Sequence, residues 1–176
     1  MTTPSESTDI TEKEINDAQR AWCDGLIEIC ETYRNGGDYR DKAERFLDRL
    51  YDFGSRVFFR PTLAMAPQNF RTTKQGALAY FIGEDPEFPQ DEGFIKKGWI
   101  SANFDNQIEG KDAIQVHGNI GIAMGNVYLR QREVTVGGKE VVVDKVFVFI
   151  KRGGHPRLIL HNSAVSNIPD TEVPED

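Results

Sequence analysis

Apolar positions recur at helical spacing in the first half of this chain and at strand spacing in the second. Ile15, Ala18, Trp22, Leu26, Ile29 and Tyr33 follow one another at intervals of three and four, the rhythm of a single buried helix face. Thr11 and Glu14 form a capping-box pair ahead of that run, and Asn35-Gly36-Gly37 stops it. A second helix is predicted from about Asp38 to Asp52, with Ala43, Phe46, Leu47 and Leu50 as its apolar stripe. Val57 to Thr62 reads as a short strand broken by Pro61. Residues 72–83 predict a third, short helix, capped by Thr72 or Thr73 and stopped by Gly83. Strands are predicted at 93–104, 113–118, 120–135, 139–151 and 157–166. Gly137-Gly138, between two β-branched runs, is a hairpin signal, and Arg152-Gly153-Gly154-His155-Pro156 is a second turn.

Helices followed by a meander of long strands predict an α+β fold, with the helices packed on one face of a curved antiparallel sheet. A sheet wrapped around helices makes a cone, and the space between the layers is a common place for a small-molecule site. No internal repeat or linker divides the chain, so one domain is expected over residues 10–167. Residues 1–9, rich in Ser and Thr, and the acidic residues 168–176, with Pro169 and Pro174, read as disordered tails.

Charge and composition narrow the functional classes. The net charge of −7 argues against an electrostatic grip on nucleic acid or on an anionic membrane. Val146 to Ile150 is an unbroken apolar run too short to cross a bilayer, and the first residues lack the apolar stretch of a secretory signal. Cys23 and Cys30 share one helix, about 10 Å apart along its axis, too far to bridge. Two reduced thiols fit a cytoplasmic protein.

Candidate chemistry is sparse. Gly118-Asn119-Ile120-Gly121-Ile122-Ala123-Met124-Gly125 has the wrong spacing for a dinucleotide loop, and its glycines are expected to permit curvature or close packing. There is no Gly-x-Ser-x-Gly elbow and no His-Glu-x-x-His helix. Of the three histidines, His155 falls in a turn, while His117 and His161 have the option of meeting across a sheet with Asp144. Alternation along Leu158 to Ser166 puts His161 and Ser163 on one face, with Ile159 and Val165 as neighbours. Polar groups on an apolar strand face either satisfy one another in the core or line a cavity. Thr62 at the end of the early strand, Tyr80 on the third helix and Arg71 between them are the other polar candidates; Arg71 is either an anion ligand or a surface residue.

The long Trp22-bearing helix, the Gly-Asp-Tyr start of the second helix and the closing strand Arg157 to Ser163 resemble the nuclear transport factor 2-like superfamily. That superfamily includes SnoaL-like polyketide cyclases and the calcium/calmodulin-dependent kinase association domain. Within it the chain is most similar to the iota-class carbonic anhydrases. Pro61-Thr62, Arg71 and Tyr80-Phe81 stand in that class's order, and the closing strand has His161-Asn162-Ser163-Ala164 where the class has His-His-Ser-Ser. The resemblance implies a lyase that hydrates CO₂ to bicarbonate with no metal and no cofactor. Thr62, Tyr80, His161 and Ser163 would be its catalytic groups, with His161 the proton carrier. Arg71, Asn162, Phe59 and Met124 would bind substrate, with Leu78 and Phe147 completing the lining. It also implies a homodimer made through the outer face of the sheet. Two other readings remain: a different small-molecule enzyme of the superfamily, an isomerase or cyclase with His161 as base, and a non-catalytic ligand-binding or dimerisation module.

Overall fold

The computed structural model describes residues 8–132 and 140–166. Helix α1 (Glu12–Arg34) begins at the expected capping box: Thr11 Oγ1 accepts from the Glu14 amide, and the Thr11 amide donates to the Glu14 carboxylate. Helix α2 (Tyr39–Leu50) starts at Asp38, whose side chain accepts from the Asp41 amide. Strand β1 (Phe58–Arg60) precedes helix α3 (Lys74–Ile82), which Thr73 caps and Gly83 ends. The remaining strands are β2 (Trp99–Asp105), β3 (Gln107–Ile108), β4 (Lys111–Asp112), β5 (Ile114–His117), β6 (Ile120–Gln131), β7 (Glu140–Arg152) and β8 (His155–Val165).

The main sheet runs β1-β8-β7-β6-β2, with β5 also on β6; β1 is parallel to β8 and every other pair is antiparallel. Trp22, Leu26 and Ile29 of α1 and Phe46 and Leu47 of α2 are buried in one core with Phe147 and Phe149 of β7. The α+β cone expected from the sequence is therefore present.

Two glycines bend the sheet around α1. Strand β6 pairs with β5 through Ile120–Ala123 and with β2 through Asn126–Gln131. Gly125 lies between the two stretches at φ +154°, where a Cβ would fall 2.0 Å from the Asp105 carbonyl oxygen. Gly121 passes so close to α1 that a Cβ would meet Ile15 at 2.4 Å. Both glycines serve close packing and curvature, as expected for a segment that is strand and not a phosphate loop.

Some boundaries differ from expectation. Phe94–Lys97 form a short 3₁₀ turn closed by left-handed Gly98, so the predicted strand from 93 begins only at Trp99. The β3–β4 ribbon, too short to show alternation, was not expected. On β8 the register shifts between Val148 and Phe149 of β7, which leaves Ile159 out of the pairing. Leu158, not Ile159, is consequently buried on the inner face, and Val165 is exposed. The Gly137-Gly138 turn and both tails except residues 8 and 9 lie outside the described residues.

Candidate active site

His161 lies at the bottom of the cone, held by rings on several sides. Parallel pairing of β1 with β8 sets Phe59 beside His161, and their rings stack at 4.5 Å. Antiparallel pairing sets Phe147 opposite His161, edge-on at 4.5 Å. Trp22 approaches at 5.5 Å. Burial pushes the imidazole down to about 3, with the nearby Lys145 charge acting in the same direction. His161 is therefore neutral near pH 7, and the proton-carrying role that an ordinary histidine pKa suggests does not fit this environment.

Its tautomer follows from its neighbours. Trp22 Nε1 is only a donor and donates to the Tyr51 hydroxyl at 2.9 Å. The Tyr51 proton then goes to His161 Nδ1, 2.8 Å away. With Nδ1 accepting, the ring proton resides on Nε2, so His161 offers an N–H donor.

Three hydroxyls join it. Thr62, half-buried just after β1, donates from Oγ1 to Ser163 Oγ at 2.9 Å. The Tyr80 hydroxyl on α3 accepts from the Leu63 amide at 3.3 Å and also interacts with the Thr62 side chain. Burial raises the Tyr80 phenol well above its ordinary range, so it stays protonated. Thr62, Tyr80, His161 and Ser163 all line one cavity of about 20 Å³, with Trp22, Phe59, Phe81 and Phe94 among its apolar walls. A space of this size holds about one water-sized molecule. A wider hollow of about 510 Å³ shares Thr62, Phe94, Leu129 and Val143 with it, so the cavity adjoins the surface beside Thr62.

The expected substrate ligands divide. Phe59 lines the cavity. Arg71 is neither an exposed residue nor a free anion ligand: it is 2% exposed, and its guanidinium forms a two-pronged pair with Asp91 at 2.7 and 3.0 Å. It also donates to the Phe70 and Gln68 carbonyls and lies over Phe88 at 4.7 Å. Its work is to fasten the loop after β1 to the loop after α3. Met124 is 47% exposed and Asn162 is exposed, because both occupy outward positions of their strands. Leu78 is half-buried and does not line the cavity, and Phe147 acts by packing on His161. His117 is exposed on β5 and Asp144 faces outward beside Asn126, so neither meets His161. Among the described residues no three His, Cys, Asp or Glu side chains converge.

Two residues escaped the sequence reading, Tyr51, which holds His161 Nδ1, and Lys145. Tyr51 follows α2 with nothing local to mark it. Lys145 lines the cavity from β7, where the inward positions otherwise read Val143, Phe147 and Phe149. A lysine within that alternation was a visible signal.

A family model described as metal-independent carbonic anhydrase matches residues 13–165. The metal-independent carbonic anhydrase of Nostoc sp. (strain PCC 7120 / SAG 25.82 / UTEX 2576) is 40% identical over 170 residues, 94% of this chain and 78% of that one. The chain belongs to the metal-independent carbonic anhydrase family. A solved family structure, the iota-carbonic anhydrase from a cyanobacterium complexed with bicarbonate, superposes with a TM-score of 0.85 at 37% identity, covering 96% of this chain and all of that one. The kinase II association domain protein from Xanthomonas campestris, at 14% identity and a TM-score of 0.60, shares only the fold. So does a nuclear transport factor 2-like protein from Novosphingobium aromaticivorans, at 11% and 0.57. The family pattern and this chain differ on the closing strand at Asn162 and Ala164. Asn162 points outward, and His161 and Ser163 keep the inward positions.

Proposed function

We propose that this family member catalyses the reversible hydration of CO₂ to bicarbonate, using the hydroxyl and imidazole groups of the cavity. The observation that carries the reading is the convergence of Thr62, Tyr80, His161 and Ser163 on one narrow, mostly apolar cavity. CO₂ is small, linear and without a net dipole, so apolar walls accept it. The cavity seats about one small molecule and widens only into the adjoining hollow beside Thr62, where the rest of a CO₂ and water pair would lie, which disfavours the larger substrates of an isomerase or cyclase. The hydroxyls of Tyr80 and Ser163 and the His161 Nε2–H are neutral donors, aimed where the carbonyl oxygens gain negative charge as water adds. One C–O bond forms as a C=O π pair moves onto the carbonyl oxygen, and one water O–H bond breaks. The released proton is taken by solvent beside half-exposed Thr62, where the cavity adjoins the surface.

The test is a stopped-flow pH-indicator assay of CO₂ hydration on chelator-treated protein. A rate above buffer is expected, and none would refute the proposal. Thr62→Ala and Tyr80→Phe should each lower kcat/KM by about 10- to 100-fold while the protein stays folded; wild-type rates in both would remove the residue assignment.

The same reading extends to setting and assembly. Cys23 and Cys30 are buried free thiols pushed up to about 12, in keeping with a cytoplasmic protein. Val143, Phe147 and Phe149 face the core, and a homodimer through the outer sheet face would use Ile122, Met124, Val146 and Val148, which sit side by side on β6 and β7.

A further inference from the structure

Lys145 is the charged group that the hydroxyl-and-imidazole account leaves unused. It is 2% exposed and lines the same cavity as the four candidate groups. On β7 it is the register partner of Ser163, and Phe147, two residues on, is the partner of His161. Directly opposed side chains on one face of an antiparallel pair lie about 5 Å apart at Cβ. Lys145 and Ser163 therefore stand side by side on the inner face, and the lysine side chain passes from there to a head group held by Gln19 and Asn106.

The way this ammonium is held is unusual for a structural lysine. Nζ donates to Asn106 Oδ1 at 2.7 Å and to Gln19 Oε1. The faces of Phe147 and Phe104 lie 5.1 and 5.8 Å away. Gln19 and Asn106 are steadied in turn by Asn16, whose Oδ1 accepts from both amides. All of these partners are neutral. Among the described residues no carboxylate lies within ion-pair distance of Nζ, whereas the other buried cation, Arg71, has Asp91. A buried charge is costly unless an opposite charge meets it. Two oxygens take two of the three Nζ protons, which fixes the head group and leaves its charge without a counterion in contact, Asp105 acting on it only through space. Packing alone would be served as well by methionine.

Building on the assignment of CO₂ hydration, we infer that the Lys145 ammonium is the cation that holds bicarbonate in the cavity and stabilises the negative charge forming on the CO₂ oxygens. Thr62, Tyr80, His161 and Ser163 supply directed but neutral donors, and Lys145 supplies the net charge. Bicarbonate carries that charge fully and CO₂ not at all. The lysine therefore favours the transition state and the anion over the neutral substrate. Removing it should act unequally on the two directions of one reaction. With chemistry rate-limiting, dehydration loses in KM for bicarbonate and keeps kcat, while hydration loses in kcat and keeps KM for CO₂. The two kcat/KM values must fall by one common factor, because the overall equilibrium is unchanged.

The experiment compares the wild-type chain with Lys145→Met and Lys145→Gln; the second keeps a hydrogen-bonding head group toward Gln19 and Asn106 and removes only the charge. Kinetics are measured in both directions, with calorimetric titration by bicarbonate and folding checked by circular dichroism. We expect bicarbonate to bind at least about tenfold more weakly, with the split in KM and kcat just described. A folded, neutral variant with wild-type bicarbonate affinity overturns the inference, as does an equal loss in kcat for both directions with both KM values unchanged. Lysine side-chain NMR on the unsubstituted protein needs no variant: the buried amine, shielded from solvent exchange, should shift saturably with added bicarbonate, and an unmoved resonance in an active enzyme refutes the role. A wild-type chain that fails to hydrate CO₂ refutes the assignment of function and is distinguished from these results by that first measurement.

Discussion

His161 is neutral because its surroundings offer rings and a phenol in place of water. The unfolded chain takes up a proton at this residue near its ordinary pKa of 6.5, whereas the folded chain resists protonation down to about 3. The unfolded state then binds more protons between those values, so stability falls as pH drops through that window, by about 1.4 kcal/mol per pH unit at most. Acid titration of urea unfolding should show this slope, and His161→Gln should remove one proton's worth of it. Lys145 shows the same effect with the same sign at higher pH. Burial lowers it from 10.5 to about 8, so the folded form sheds its proton first and stability rises from pH 8 toward 10.5. Tyr51→Phe deletes the donor to His161 Nδ1 and the acceptor for Trp22. It should cost about 1–3 kcal/mol in chemical denaturation, and it should lower hydration because the imidazole tautomer is no longer fixed. Asn162→His combined with Ala164→Ser restores the family's closing residues. The hydration rate should stay within about twofold of wild type, since outward positions do not touch the cavity.

The elements place the site by pairing. Parallel β1 on β8 stacks Phe59 against His161 and delivers Thr62 to Ser163 in the next turn of chain. Arg60 reinforces the join by donating to the Ser163 carbonyl at 2.7 Å. The loop after β1 reaches α3 through the Arg71–Asp91 clamp, and the Arg71 amide donates to the Phe59 carbonyl at 2.8 Å. Removing one partner of a buried ion pair leaves the other charge stranded. Arg71→Leu should therefore destabilise the protein by about 3–5 kcal/mol, with Arg71→Leu/Asp91→Leu recovering part of the loss in urea titrations. An anion-binding arginine would instead change substrate KM at unchanged stability.

For the whole molecule, the helix faces, their caps, the strand-rich second half and the α+β class were legible in the sequence, because periodicity and capping act over a few residues. The inward pair His161 and Ser163 was legible for the same reason. Thr62 and Tyr80 stood out as polar candidates from their places on the early strand and third helix, and resemblance to a family gave them a role beside that pair. The pairing of Arg71 with Asp91 was not legible, because Asp91 lies in a loop that no local pattern ties to it. The bulge at Ile159 and the outward turn of Met124 were likewise settled by strand register. The sequence alone determined which segments coil and which extend, since those preferences belong to each residue and its near neighbours. Only the tertiary structure decided that His161 is a neutral donor and that Lys145 stands opposite Ser163, because desolvation and cross-strand register arise from residues far apart in the chain.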